Sequence, residues 1–121
     1  MDKQIITQNG INIAIIQSDE VLITDTQSAL DLIVTISYND NCDCVLLNKE
    51  AIAEEFFILS NGIAGDILQK FVTYSKKLAI IGDFSVYTSK PLKAFIYESN
   101  RGNCIFFMAT KQEGINKLAQ I

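Results

Sequence analysis

The sequence contains no histidine, no tryptophan, a single proline and only three cysteines. Without histidine there is no Ser–His or Cys–His nucleophile pair, no imidazole metal ligand and no imidazole acid–base group. One proline, Pro91, and no low-complexity tract leave nothing that reads as a linker, so residues 1–121 read as one domain. No stretch approaches the roughly 20 consecutive apolar residues that span a bilayer. The opening Met1-Asp2-Lys3-Gln4 lacks the basic-then-apolar layout of a signal peptide. The expectation is therefore a cytoplasmic protein with no membrane partner. Positive charge is also scarce: 10 Lys and Arg against 14 Asp and Glu give a net charge of −4, which argues against a nucleic-acid partner. The cysteines are Cys42, Cys44 and Cys104. An odd count, with C-x-C rather than C-x-x-C spacing, reads as buried or incidental thiols in a reducing compartment. No metal and no cofactor is expected.

Hydrophobic residues make up 49% of the chain, enough to supply a core without staples. Two alternating β-rich runs, near residues 3–8 and 11–17, flank Asn9-Gly10. That dipeptide tolerates the positive φ of a type I′ turn, so a hairpin is expected. Thr24 and Gln27 have capping-box spacing, and the pattern behind them predicts a helix ending near Tyr38. Cys44 to Leu47, Leu78 to Ile81 and Cys104 to Phe107 are short continuous apolar runs, as buried parallel strands show. Between them, Ala51 to Leu59 reads as a short helical turn or an irregular loop, broken at Ser60-Asn61-Gly62. Next comes a helix with Ile63, Ile67, Leu68, Phe71 and Val72 on its apolar side. Gly65 on that helix reads as a point of close approach to the sheet. Ser89, with Pro91 in the first turn, caps a further helix with apolar Leu92, Phe95 and Ile96, and Glu113 to Gln120 closes the chain as a short helix. Strands alternating with helices predict a single α/β domain: an N-terminal hairpin followed by βαβ units in a mostly parallel sheet.

Several motifs carry a resemblance. Glu54-Glu55-Phe56-Phe57, Gly62-Ile63-Ala64-Gly65-Asp66-Ile67-Leu68-Gln69-Lys70-Phe71, Gly82-Asp83-Phe84-Ser85, Tyr87, Ser89-Lys90 and Phe95-Ile96-Tyr97-Glu98 together resemble a bacterial family catalogued as a domain of unknown function (number four-one-eight-zero). That resemblance covers nearly the whole chain. It implies a bacterial, cytosolic protein and supplies no activity. The order of elements is also similar to the STAS domains of bacterial anti-sigma-factor antagonists, most of all from Leu46 to Phe71. In those antagonists a turn reading Asp-Ser-Ser-Gly is phosphorylated on its first serine. Aligned on the glycine, this chain reads Leu59-Ser60-Asn61-Gly62. Ser60 thus falls on the phosphorylated position, while Leu59 and Asn61 depart from the pattern. The resemblance implies a STAS-like fold and a protein-interaction or regulatory role.

Ligands of open parallel sheets bind beyond the carboxyl ends of the strands. That edge gathers Asn48, Lys49 and Glu50 after one strand and Asp83, Phe84 and Ser85 after the next, with the helix start after Gly62 facing the same region. The plainer reading is turn chemistry, with Asp83 bonding nearby N–H groups. Phe84, Tyr87 and Tyr97, with Phe56-Phe57, can form an aromatic patch for a partner, or can pack the core and cover the sheet edge. The resulting candidate partner or ligand surface is Ser60, Asn61, Gly62, Asp83, Phe84, Ser85 and Tyr87, with no catalytic residue assigned. The leading expectation is a non-enzymatic module with a protein partner or self-association. The alternative is a small-molecule sensor or an enzyme using Glu54, Glu55 and Asp83, which requires a deep pocket and raised carboxylate pKa values.

Overall fold

A computed structural model describes residues 2–120. Strands β1 (Asp2–Gln8) and β2 (Ile11–Gln17) pair antiparallel in unbroken register from Asp2–Gln17 to Gln8–Ile11. Asn9 and Gly10 connect them at φ 55° and 79°, the left-handed geometry that a two-residue type I′ turn demands. The chain then alternates helix and strand: α1 (Thr26–Val34), β3 (Cys44–Asn48), α2 (Ile63–Thr73), β4 (Lys77–Ile81), α3 (Lys90–Arg101), β5 (Ile105–Met108) and α4 (Lys111–Leu118). The five strands lie in sheet order β1-β2-β3-β4-β5, and every pair after the first is parallel.

Strands laid down in sequence order, joined by crossovers of one hand, put their connecting helices on one face. Ala14, Ile16, Val45, Leu47, Leu78, Ile80, Ile105 and Phe107 turn to that face and pack against α1, α2 and α3. The alternate residues, among them Ile15, Leu46, Ala79 and Phe106, pack against Ile115, Leu118 and Ala119 of the α4 segment. Every residue of β3 is buried, which is why its sequence is a continuous apolar run rather than an alternation. Such burial stabilises by roughly 1.5–3 kcal/mol per large aliphatic side chain. Among the described residues no helix is long and apolar enough to cross a membrane.

Five local expectations shift. The cap of α1 is Asp25, not Thr24: its carboxylate accepts from Ser28 N at 2.9 Å, and Ser28 Oγ accepts from Asp25 N at 3.1 Å. A carboxylate is a stronger acceptor than a hydroxyl and also suits the positive end of the helix dipole. The α1 pattern does run on to Asn39, but through a π-helical turn, Thr35–Asn39. Val72 is 50% exposed, one step beyond the stripe of Ala64, Ile67, Leu68 and Phe71 that α2 buries. The close helix–sheet approach belongs to Gly114 and not to Gly65. A Cβ on Gly114 would sit 2.6 Å from Ile81 Cδ1 and 2.9 Å from Leu46 Cδ1, whereas one on Gly65 would meet open space. Helix α4 starts two residues earlier than expected, at Lys111, because Thr110 Oγ1 accepts from Glu113 N at 3.2 Å. Ser89 caps α3 as expected, accepting from Leu92 N at 3.3 Å.

Candidate functional site

The parallel strands β3 and β4 end side by side at Asn48 and Ile81. Asn48 is buried, and its amide is occupied: Oδ1 accepts from Ser18 N at 2.9 Å, while Nδ2 donates to Ser18 O at 2.7 Å and Glu50 Oε1 at 3.2 Å. It ties the end of β2 to the end of β3. The stem of Lys49 then lies across Gly82, where a Cβ would stand 2.7 Å from Lys49 Cβ. This approach carries the Lys49 ammonium over two rings, 5.0 Å from the centroid of Tyr87 and 5.7 Å from that of Phe57. Tyr87 stacks on Phe57 with centroids 5.0 Å apart and planes 17° from parallel, and its hydroxyl donates to Glu54 Oε1 at 2.9 Å. Burial pushes the Tyr87 hydroxyl pKa up, while the nearby Tyr87 hydroxyl raises that of the Lys49 amine.

Asp83 caps a 3₁₀ turn, Phe84–Val86, by accepting from Ser85 N at 3.0 Å and Ser85 Oγ at 2.5 Å. Those bonds hold its carboxyl below the usual carboxylate range. A carboxylic general acid at neutral pH needs the opposite displacement. Phe84 is half-buried, edge-on to Phe107 at 5.4 Å, and covers the sheet end rather than offering a free ring. Phe56 and Phe57 are buried, so of the expected aromatic patch Tyr97 is the exposed member, and it lies under Arg101 at 5.6 Å.

The segment before α2 is a pair of 3₁₀ turns, Glu54–Phe57 and Leu59–Asn61. Asn61 is engaged locally: Oδ1 accepts from Ile63 N at 2.9 Å, and Nδ2 donates to Glu55 O at 2.9 Å. Gly62 has φ 78°, the left-handed step that turns the chain into α2. Ser60 is exposed and lines an open groove of about 540 Å³ together with Phe57, Ile58, Leu59, Ser89 and Pro91. The candidate residues thus fall on two flanks of Phe57. Tyr87 stacks on it beside Lys49 and Glu54, with Asp83 and Ser85 in the next turn, and Ser60 faces the groove. Asn61 and Gly62 shape the turn. Sequence reasoning did not join Tyr87 to Glu54 or Lys49, which lie 33 and 38 positions away. The available signal was that Lys49 and the Asp83 turn each follow a buried strand.

The thiols are free, with Cys42 and Cys44 buried and Cys104 half-buried. Burial pushes the Cys44 thiol up to about 11 and raises Cys42 and Cys104 as well. All three are therefore weak nucleophiles at neutral pH.

A family model described as Domain of unknown function (DUF4180) matches residues 8–118. The chain belongs to that family. No curated protein and no solved structure matches it significantly. The matched span of this DUF4180 chain takes in every strand from β2 to β5, all four helices, and both flanks of Phe57.

Proposed function

We propose that the chain is a bacterial, cytoplasmic, non-enzymatic module with a STAS-like layout, binding a protein partner through the groove beside Ser60. The observation that carries this reading is the groove itself. Its lining joins buried Phe57, Ile58 at 54% exposure and the exposed Ser60. Apolar, partly formed surface rimmed by small polar groups suits a protein segment. The strand-end polar groups support the same reading. Glu50 is bonded by Asn48, Glu54 by Tyr87 and Asp83 by Ser85, so these carboxylates serve the local structure.

The test uses tagged protein in bacterial lysate, comparing wild type with Ile58→Glu and Ser60→Asp. Thermal unfolding of each variant confirms that it folds. A specific protein retained by wild type and lost from both variants supports the proposal. Equal retention by all three places the surface elsewhere, and no enriched protein overturns the reading.

A further inference from the structure

Strand β1 forms one edge of the sheet, and its hydrogen-bonding pattern follows from the hairpin. In a two-residue hairpin the flanking residues, here Gln8 and Ile11, form a hydrogen-bonded pair, and such pairs then recur at every second position. Gln8, Ile6, Gln4 and Asp2 therefore bond to β2. Thr7, Ile5 and Lys3 direct their N–H and C=O groups away from the sheet. Among the described residues β2 is the only element in extensive contact with β1.

Exposed edges are ordinarily blunted by proline, by charged side chains, by a bulge or by brevity. β1 confines its charges to its first two residues, Asp2 and Lys3, and carries none from Gln4 to Gln8. Its seven residues include no proline, and its register with β2 is unbroken. Its one lysine, Lys3, is engaged with Asp40 at 2.9 Å. At its centre Ile5 is 42% exposed.

We infer that β1 pairs antiparallel with β1 of a second copy of this chain, about a two-fold axis through Ile5, making one continuous ten-stranded sheet from two five-stranded ones. The register is set by the outward groups. With Ile5 opposite the partner's Ile5, Lys3 faces the partner's Thr7 and Thr7 faces the partner's Lys3. All three outward positions become hydrogen-bonded pairs, and no like charges are opposed. A slip of two residues puts Ile5 opposite lysine or threonine and leaves a terminal outward position unpaired. The chosen register also covers Ile5 with its own counterpart, the cross-strand contact that stabilises antiparallel pairs. A single strand pair lies at the small end of specific interfaces, below roughly 1,200 Å², so micromolar association is expected. The inference does not depend on the groove at Ser60.

Sedimentation equilibrium from low to high micromolar loading tests it. Wild type should pass from the 13.5 kDa chain mass to twice that value. Ile5→Pro should remain monomeric with unchanged thermal unfolding, because the N–H it removes is not bonded to β2. If Ile5→Pro fails to fold, Ile5→Lys replaces it and opposes two like charges on the axis. In a Cys104→Ser background, Ile5→Cys should give a covalent dimer on oxidation. Hydrogen-bonded pairs place Cα atoms about 5.5 Å apart, inside the disulfide range of about 4.4–6.8 Å. A wild type that stays monomeric, or a dimer indifferent to both Ile5→Pro and Ile5→Lys, overturns the proposal. A dimer in which Ile5→Cys does not cross-link overturns the register.

Discussion

Replacing Asn48 by alanine tests whether the end of β3 is held by its side chain. Both bonds to Ser18 are lost at once, from its N at 2.9 Å and to its O at 2.7 Å, along with the bond to the Glu50 carboxylate, and Ser18 is only 3% exposed. Leaving a buried backbone group unpaired costs roughly 1–3 kcal/mol. Two such groups, with partial rescue by water entering the vacated space, come to about 3 kcal/mol. Unfolding entropy near the midpoint is about 2.1 cal/mol/K per residue, or about 0.25 kcal/mol/K for 121 residues. The expected fall in Tm is therefore about 12 °C. Calorimetry gives Tm, and urea titration should show a lower midpoint with an unchanged m-value. A shift below about 4 °C would mean that Ser18 does not depend on Asn48, and the clip described here would be wrong.

Two glycines on helices should respond oppositely to alanine. Gly114→Ala drives a methyl into Ile81 and Leu46, and should lower Tm by about 4 °C, since overpacking of roughly 1–3 kcal/mol exceeds a helix gain of about 1 kcal/mol. Gly65→Ala, exposed with open space around its Cβ, should raise Tm by up to about 4 °C in the same scan. Gly62→Ala should cost about 1–2 kcal/mol for a side chain in left-handed backbone, with Gly62→Asn milder, both read by denaturant midpoint. Cys44 should resist thiol reagents in the folded protein at pH 8. Its folded pKa of about 11 lies above the ordinary 9.0, so its contribution to stability is complete below pH 9 and is lost as pH rises toward 11. Wild type should therefore lose more Tm across that interval than Cys44→Ala does.

What could be read in the sequence depended on how local the cause is. Asn9-Gly10 dictates its own hairpin, and the apolar runs at Cys44, Leu78 and Cys104 declare strands covered on both faces. The α1 cap was displaced by one residue because Thr24 and Asp25 are both competent caps, and the choice follows the stronger acceptor. Gly65 and Gly114 look alike in sequence. Which one touches the sheet depends on which face of each helix is turned inward, a tertiary fact. The same holds for the candidate site. Turn residues at Ser60 and Asp83 were legible from local chemistry, but the stack of Tyr87 on Phe57 beneath Lys49 requires the β3–α2–β4 crossover to bring two strand ends together. Phe84 looked available and is not, since the packing of Phe107 is invisible in one dimension.

The sequential strand order also bears on how the chain acquires its structure during synthesis. Each new strand joins the edge just completed, so β2 through β5 can add one after another as they leave the ribosome, without waiting for distant partners. The sheet's second face does not follow that rule. Ile15, Leu46, Ala79 and Phe106 remain uncovered until Lys111–Leu118 has been made and has folded back over the central strands. Until α4 emerges the nascent sheet is thus covered on one face only, and its most vulnerable moment comes just before that helix folds back.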